Sequence, residues 1–253
     1  MEIGLRIILI SSTTTMNTQS LSNQLTIVIP SKNEGRMLYD CVYNISKQNN
    51  IAGVKIIIAD ISNEEESIWY LWKLRSDFKY SLNIDVIEGG YPSQGRLNGS
   101  KLVSTPYVLF LDADIFLTNP TILTECLQYN KDLITVPFTT DYPYRLVFRL
   151  FDMFQWKSTV LGTPFAVGGF QLWNTETYWK LGGYNPEELF AEDYSISQKV
   201  KSKNFKVVKV KGTYTSSRRF KSKGILWMFY IMLKSYFNRN NPEFFKKSHG
   251  YWD

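Results

Sequence analysis

The residues best equipped for chemistry are two groups of carboxylates: Asp112 and Asp114 in the run Asp112-Ala113-Asp114, and the adjacent pair Glu192 and Asp193. Two aspartates two positions apart, directly after an apolar run (YVLFL, 107–111), can converge on one hard divalent cation. The chemistry served by such an ion is transfer from a nucleoside diphosphate, whose leaving charge it neutralises. A D-x-D triplet alone is a weak signal shared with ordinary acidic turns, and its place after a buried strand gives it weight. Glu192 and Asp193 open a helical run after a loop. Carboxylates there are ordinarily caps that suit the positive end of the helix dipole. The chemical reading is a general base, an ionised carboxylate beside an acceptor hydroxyl. Gln94-Gly95-Arg96-Leu97-Asn98-Gly99 runs a glycine turn into a helix, offering backbone N–H groups and the Arg96 fork to phosphate. It has neither G-x-G-x-x-G spacing nor the terminal Lys-Ser/Thr of a P-loop. Arg218 and Arg219, within SSRRF (216–220), suit a loop folded over a diphosphate, although alone they read as surface charge.

The elements that must position these groups follow from periodicity. The apolar runs 25–30 (LTIVIP), 54–60 (VKIIIAD), 84–87 and 107–111 read as strands, with helices over 37–47, 63–78 and 95–103 between them. That alternation predicts an α/β fold, a three-layer α/β/α sandwich around a mostly parallel central sheet. Ligands of such sheets bind beyond the carboxyl ends of the strands, where Asn33, Glu34, Asp60, Asp112 and Asp114 stand. The second half reads as a strand over 133–138, an aromatic amphipathic helix over 144–154, and a loop over 162–169. A strand over 170–174 and a helix over 175–181 come next, then a helix over 194–202 and a strand over 205–210. No repeat or linker divides the chain. The expected organisation is a leader over 1–24, disordered or from a mis-assigned start, then one domain over 25–220. That domain has a nucleotide-binding half (25–114) and an acceptor half (115–220), and a basic, aromatic amphipathic segment follows over 221–253.

Composition narrows the classes. Of 253 residues 44% are hydrophobic and 21% charged, which excludes disordered, collagen-like and coiled-coil chains. Two cysteines, Cys41 and Cys126, and one histidine, His249, exclude a disulfide scaffold, a cysteine zinc cluster and a histidine-rich metal site. The cysteine usage is compatible with a reducing compartment. The net charge of +6 is uneven: residues 199–253 carry 14 Lys/Arg against Glu243 and Asp253, which suggests anionic partners. No run approaches the ~18–20 apolar residues of a membrane span. The run 225–233 (ILWMFYIML), framed by Lys221, Lys223 and Lys234, fits a buried helix or an interfacial one with Trp227 and Tyr230 at headgroup level.

Taken in order, TIVIPSKNE, IIIADIS, QGRLNGSKLVSTPYVLFLDAD, YWKLGGYNPEELFAED and TYTSSRRF resemble the inverting family 2 glycosyltransferases of the GT-A fold, over roughly residues 25–220. The resemblance implies a Rossmann-like GT-A sandwich and an Mg²⁺ or Mn²⁺ cofactor. It also implies transfer of a single sugar from a nucleotide-diphospho-sugar, UDP- or GDP-linked, to a hydroxyl of a glycan or lipid-linked acceptor. By position, Pro30 and Glu34 border the nucleotide pocket, Asp60 accepts a hydrogen bond from the base, and Arg96 and Asn98 lie near base, ribose or diphosphate. Asp112 contacts ribose or a metal-bound water, Ala113 between them belongs to the same nucleotide-sugar site, and Asp114 holds the metal. Asp193 is the base. Gly168, Gly169 and Glu192 shape the acceptor side, with Phe170 and Trp173 as sugar-stacking candidates, and Arg218 and Arg219 attend the diphosphate. Two departures matter. Ile61-Ser62 replaces the Asp and Gly-Ser that often follow the Asp60 position, and the Q-x-x-R-W signature of processive members is absent, which argues for single transfer. His249 could reach the metal, but its place near the terminus reads as surface.

The alternatives are a sugar-nucleotide nucleotidyltransferase and a nucleic-acid or anionic-surface binder. The first wants a Gly-rich Arg/Lys loop where SKNEG stands. The second has no use for Asp112, Asp114 and Asp193, and no nucleic-acid partner is expected. The expected location is the cytoplasm, with a peripheral contact to the inner membrane face through 225–237.

Overall fold

The computed structural model describes residues 20–160 and 162–251. Most of the leader, residues 1–19, therefore lies outside the described residues. From Ser20 the chain is folded, so residues 20–24 of the expected leader are ordered. Leu21–Asn23 form a 3-10 turn, and the buried Leu21 donates its N–H to the Asn50 carbonyl at 3.0 Å.

The first half follows its apolar runs. Strand β1 (Leu25–Ser31) is buried except at Pro30, so both its faces must be covered. Helix α1 (Arg36–Ser46) buries Leu38, Cys41, Val42 and Ile45, and β2 (Lys55–Asp60) follows it. Helix α2 (Glu65–Asp77), β3 (Asn83–Glu88), α3 (Pro92–Ser100) and β4 (Tyr107–Leu111) complete this half. Alternation along the strands sorts the core into two layers. Ile27, Ile29, Ile56, Ile58, Leu109 and Leu111 pack with α1 residues, whereas Val28, Ile57, Val108 and Phe110 pack on the other face with Tyr178 and Tyr184. On that second face α3 crosses β1 so closely that a Cβ on Gly99 would stand 2.4 Å from Val28 Cγ1.

The second half adds β5 (Ile115–Leu117), α4 (Ile122–Leu127), β6 (Leu133–Thr135), α5 (Arg145–Val160), β7 (Phe170–Asn174) and α6 (Thr175–Lys180). Then come α7 (Glu192–Ser197), β8 (Phe205–Val207), β9 (Thr213–Thr215), α8 (Arg218–Lys223), α9 (Ile225–Phe237) and α10 (Pro242–Phe245). The main sheet runs β3-β2-β1-β4-β7-β6-β8, and only β7 opposes its neighbours. A separate antiparallel ribbon joins β5 to β9. The fold is thus the α/β sandwich with a mostly parallel sheet that the alternation predicts.

Several boundaries differ from the periodicity. Strand β6 stops at Thr135, two residues before Pro137, which has no N–H for a ladder. Helix α7 begins at Glu192 rather than 194, because Ala191 takes a left-handed turn (φ 49°) that redirects the chain into it. The segment after 220 is integrated into the body. Ile231, Phe244 and Phe245 share a buried cluster with Phe190 and Tyr194. Trp227, expected at headgroup level, stacks on Tyr251 at 6.1 Å, whereas Tyr230 is exposed. Among the described residues, no helix is long and apolar enough to cross a membrane.

Candidate active site

The parallel strands β1, β2 and β4 end at one edge of the sheet, and the opposed β7 begins there. Leu111 pairs with Phe170, and the Asp112 N–H donates to the Gly169 carbonyl at 3.3 Å. The Ile115 N–H closes a turn onto the Asp112 carbonyl (3.1 Å) and sends the chain into β5, leaving Ala113 buried between the two partly exposed aspartates. Ile115 pairs with Thr215 in the ribbon, so β9 delivers Arg218 and Arg219 to the same triplet. The ribbon, three residues per strand and unreadable from propensity, is what places the arginines.

The charges form two linked groups. Arg218 binds Glu34 with both terminal nitrogens, at 2.6 and 2.5 Å, and approaches Asp114 at 3.7 Å. Burial raises the Asp114 carboxyl to about 6, Asp112 adds repulsion, and Arg218 opposes both. Arg219 lies within electrostatic reach of Asp112 and Asp114. The second group is buried. Arg96, with a side chain only 3% exposed, binds Asp112 through Nη2 at 2.5 Å and Glu192 through Nη1. Its guanidinium also lies over the Tyr184 ring at 5.4 Å. The reading of Arg96 as an open phosphate fork is therefore corrected: both of its terminal nitrogens hold carboxylates, and Gly95 lies inside α3 against Pro30 and Ala59 instead of forming an anion-binding turn.

Asp193 stands beside this knot. Its Oδ2 accepts the Gly168 N–H at 2.6 Å and its Oδ1 accepts the Tyr194 N–H at 2.8 Å. Burial and then Glu192 push its carboxyl above the ordinary range, with Arg96 and the two N–H donors opposing. Gly168 is required by this approach, since a Cβ there would stand 2.9 Å from Arg96 Nη2 and 3.2 Å from Asp193 Oδ2. Gly169 packs on Ile115 and Phe138. The structure thus brings Glu34, Arg96, Asp112, Asp114, Gly168, Gly169, Glu192, Asp193, Arg218 and Arg219 to one edge of the sheet.

Other expected site residues fare differently. Asp60 sits at the end of β2, but its carboxylate accepts the Ser62 N–H and hydroxyl, both at 2.8 Å. The Ser62 hydroxyl in turn accepts the Asn33 N–H at 2.7 Å. The Ile61-Ser62 departure thus builds a turn that ties Asp60 to the loop of Glu34, a role without a local signal. Asn98 donates to the Glu88 and Gly89 carbonyls (3.2 and 3.4 Å) and so braces the loop after β3, while Pro30 borders Gly95. Trp173 and Phe170 are not sugar platforms. Both are fully buried, and the Trp173 Nε1–H donates to Gln171. All of β7 but its last residue is covered on both faces, so its aromatics serve the core. His249 neither reaches the carboxylates nor lies open on the surface: its ring stacks on Phe244 at 4.3 Å and its Nε2 pairs with the Phe244 carbonyl. Tyr251, which no motif pointed to, hydrogen-bonds Arg219.

The donor set suits a hard cation. Among the described residues no three His, Cys, Asp or Glu side chains gather as a metal cage. Asp114 and Asp112 could supply one or two oxygens, leaving the remaining positions to phosphate and water, as Mg²⁺ commonly takes them. The desolvation that raises the Asp114 carboxyl, and the Asp112 repulsion that Arg218 offsets only in part from 3.7 Å, are what a cation would relieve.

One sheet edge thus carries the paired carboxylates Asp112 and Asp114, the carboxylate of Asp193 held by backbone N–H groups, and Arg218 and Arg219 held by Glu34 and Tyr251. The profile of glycosyl transferase family 2 matches residues 26–182, and the chain belongs to that family of sugar-transferring enzymes. Among solved structures, the fold is similar to the mannosyltransferase PcManGT from Pyrobaculum calidifontis, in complex with GDP-Man and Mn²⁺ (TM-score 0.61, 12% identity, 83% of this chain and 64% of that one). It is similar to S. aureus TarS 1–349 in complex with UDP-GlcNAc (0.58, 14%, 76% and 58%) and to GalNAc-T7 with UDP, GalNAc and Mn²⁺ (0.52, 16%, 78% and 44%). The fold is therefore GT-A, and the chain spans less than two thirds of these relatives' lengths. No curated protein matches by sequence.

Proposed function

We propose that the protein is a metal-dependent, inverting glycosyltransferase that moves one sugar from a UDP- or GDP-sugar to a hydroxyl of a glycan or lipid-linked acceptor. The observation that carries this reading is the buried Arg96 bridge, which joins the carboxylate pair of the donor side to the helix of Asp193. Donor and base chemistry thereby share one rigid knot. Family membership and neighbours bearing GDP-Man, UDP-GlcNAc and Mn²⁺ support the donor class.

Asp193 takes the proton of the acceptor hydroxyl as its oxygen attacks the anomeric carbon from the face opposite the diphosphate. The bond from that carbon to the phosphate oxygen breaks, and its electron pair leaves with the nucleoside diphosphate, which inverts the carbon. A raised carboxyl pKa brings a base closer to the working pH, and the Gly168 and Tyr194 N–H groups fix its direction. Arg218 and Arg219 face the charge that develops on the leaving diphosphate. Asp114 and Asp112 would hold a divalent cation, which supplies further positive charge at that diphosphate. Calorimetric titration with UDP, GDP, dTDP and CMP, with and without Mn²⁺, tests the reading on wild type and Asp114→Ala. Metal-dependent binding of one nucleotide, lost in the variant, is expected; a folded protein that binds none refutes it.

The same reading sets the enzyme on the inner membrane face. Leu226, Tyr230, Leu233 and Phe237 form one exposed stripe on α9, and α5 exposes Leu146, Leu150 and Phe154. No acidic residue occurs between Asp193 and Glu243, so the surroundings suit anionic lipid. Replacing Leu226 and Leu233 together by Glu should abolish co-sedimentation with phosphatidylserine vesicles and spare nucleotide binding. Unchanged sedimentation would remove the membrane contact.

A further inference from the structure

The end of the described chain returns to the site. The Tyr251 hydroxyl accepts a hydrogen bond from Arg219 Nη1, and the Arg219 guanidinium lies over the Tyr251 ring at 4.4 Å. The ring stacks on Trp227 at 6.1 Å and meets Phe190 edge-on at 5.1 Å. Phe190 precedes the left-handed Ala191 and the carboxylates Glu192 and Asp193, and the Leu189 and Phe190 N–H groups both donate to the Phe245 carbonyl (2.9 and 3.2 Å). Tyr251 therefore stands between the arginine of the donor side and the turn that carries the base, within electrostatic reach of Asp193 and Glu192.

We propose that Tyr251 is a positioning residue for the donor: its hydroxyl and ring face hold Arg219 near Asp112 and Asp114 at the sheet edge, where the diphosphate binds, and its ring edge braces Phe190 ahead of the base. This rests on the glycosyltransferase reading above. Arginine has many rotamers, and one that must be ordered by the ligand binds it more weakly than one already held. The pairing also explains why a tyrosine is used there, since phenylalanine would fill the same aromatic cluster without restraining the guanidinium.

The test is a double-mutant cycle on the full chain: wild type, Tyr251→Phe, Arg219→Ala and the double variant, each titrated with UDP and with GDP in the presence of Mn²⁺. Tyr251→Phe should weaken binding of whichever diphosphate wild type takes by roughly tenfold, the lower end of the loss expected for one hydrogen bond to a charged group. Its melting temperature should fall by no more than about 6 °C. Arg219→Ala should lose more, and the double variant no more than Arg219→Ala alone. A general folding defect would persist in the Arg219→Ala background, so the cycle separates positioning from stability. Wild-type affinity in Tyr251→Phe, or losses that add in the double variant, overturns the role of Tyr251 and leaves the transferase reading standing. A wild type that binds neither diphosphate overturns that reading and this one with it.

Discussion

Arg96→Met probes the charge knot beneath the site. The guanidinium is 3% exposed and holds Glu192, whose side chain is 7% exposed, and Asp112, which is 35% exposed. Methionine keeps the length and apolar contact of the arm and removes the charge. Glu192 is then buried without its cation, and Asp112 loses the counter-charge that offsets Asp114. Breaking a buried pair from one side costs about 3–5 kcal/mol. Water reaches Asp112 and takes over part of its share, so the loss belongs at the lower end, about 3 kcal/mol. In a chain of this size that lowers Tm by roughly 6–12 °C. Arg96→Lys keeps one charge, yet a single ammonium cannot bridge two carboxylates, so about 1–2 kcal/mol is expected. A functional signature accompanies the loss. Arg96 is the cation that opposes the upward push of burial and Glu192 on Asp193. Without it the Asp193 carboxyl rises further, and the acid limb of kcat/KM moves to higher pH, more in Arg96→Met than in Arg96→Lys. Thermal melts and a pH–rate profile read both effects. An Arg96→Met protein that melts within about 2 °C of wild type with an unmoved acid limb refutes the bridge.

Three further outcomes are expected. Gly168→Ala crowds Arg96 and Asp193 (2.9 and 3.2 Å from the new Cβ), so turnover should fall roughly 10²-fold while nucleotide affinity, measured by calorimetry, stays near wild type; equal turnover would count against Asp193 as the base. Asp114 must be ionised to bind a cation, and burial raises it to about 6, so Mn²⁺-dependent nucleotide affinity should drop about tenfold per pH unit below that value and be flat above it. Asp152 on α5 is also raised to about 6 by burial, with the Phe138 N–H opposing; the folded state favours its protonated form, so stability is lost as pH rises through about 6. Asp152→Asn should therefore gain about 1 kcal/mol at pH 8, after allowance for solvent at the partly exposed carboxyl, and nothing at pH 4, as read by urea titration.

What could be read from the sequence depended on how far away each residue's partners lie. Strands β1, β2 and β4 were legible because a strand covered on both faces writes a continuous apolar run, and the carboxylates after β4 inherit their place from it. Trp173 misleads for the same reason: β7 is covered on both faces too, so an aromatic there carries no sign of a ligand. Arg96 shows the harder case. The glycines beside it suggest an open backbone, whereas Gly99 is there to let α3 approach Val28, and the arginine's partners are Asp112 and Glu192, 16 and 96 residues away. Arg218 finds Glu34 across 184 residues through the three-residue ribbon of β5 and β9, too short for any propensity to register. Residue types at the sheet edge are thus locally written, but which charge neutralises which is decided by loop closure. The same reasoning ties two roles together. The base role proposed for Asp193 draws on Arg96, which stabilises the ionised form that burial and Glu192 disfavour, so a shift in the acid limb on removing Arg96 would bear on both residues at once.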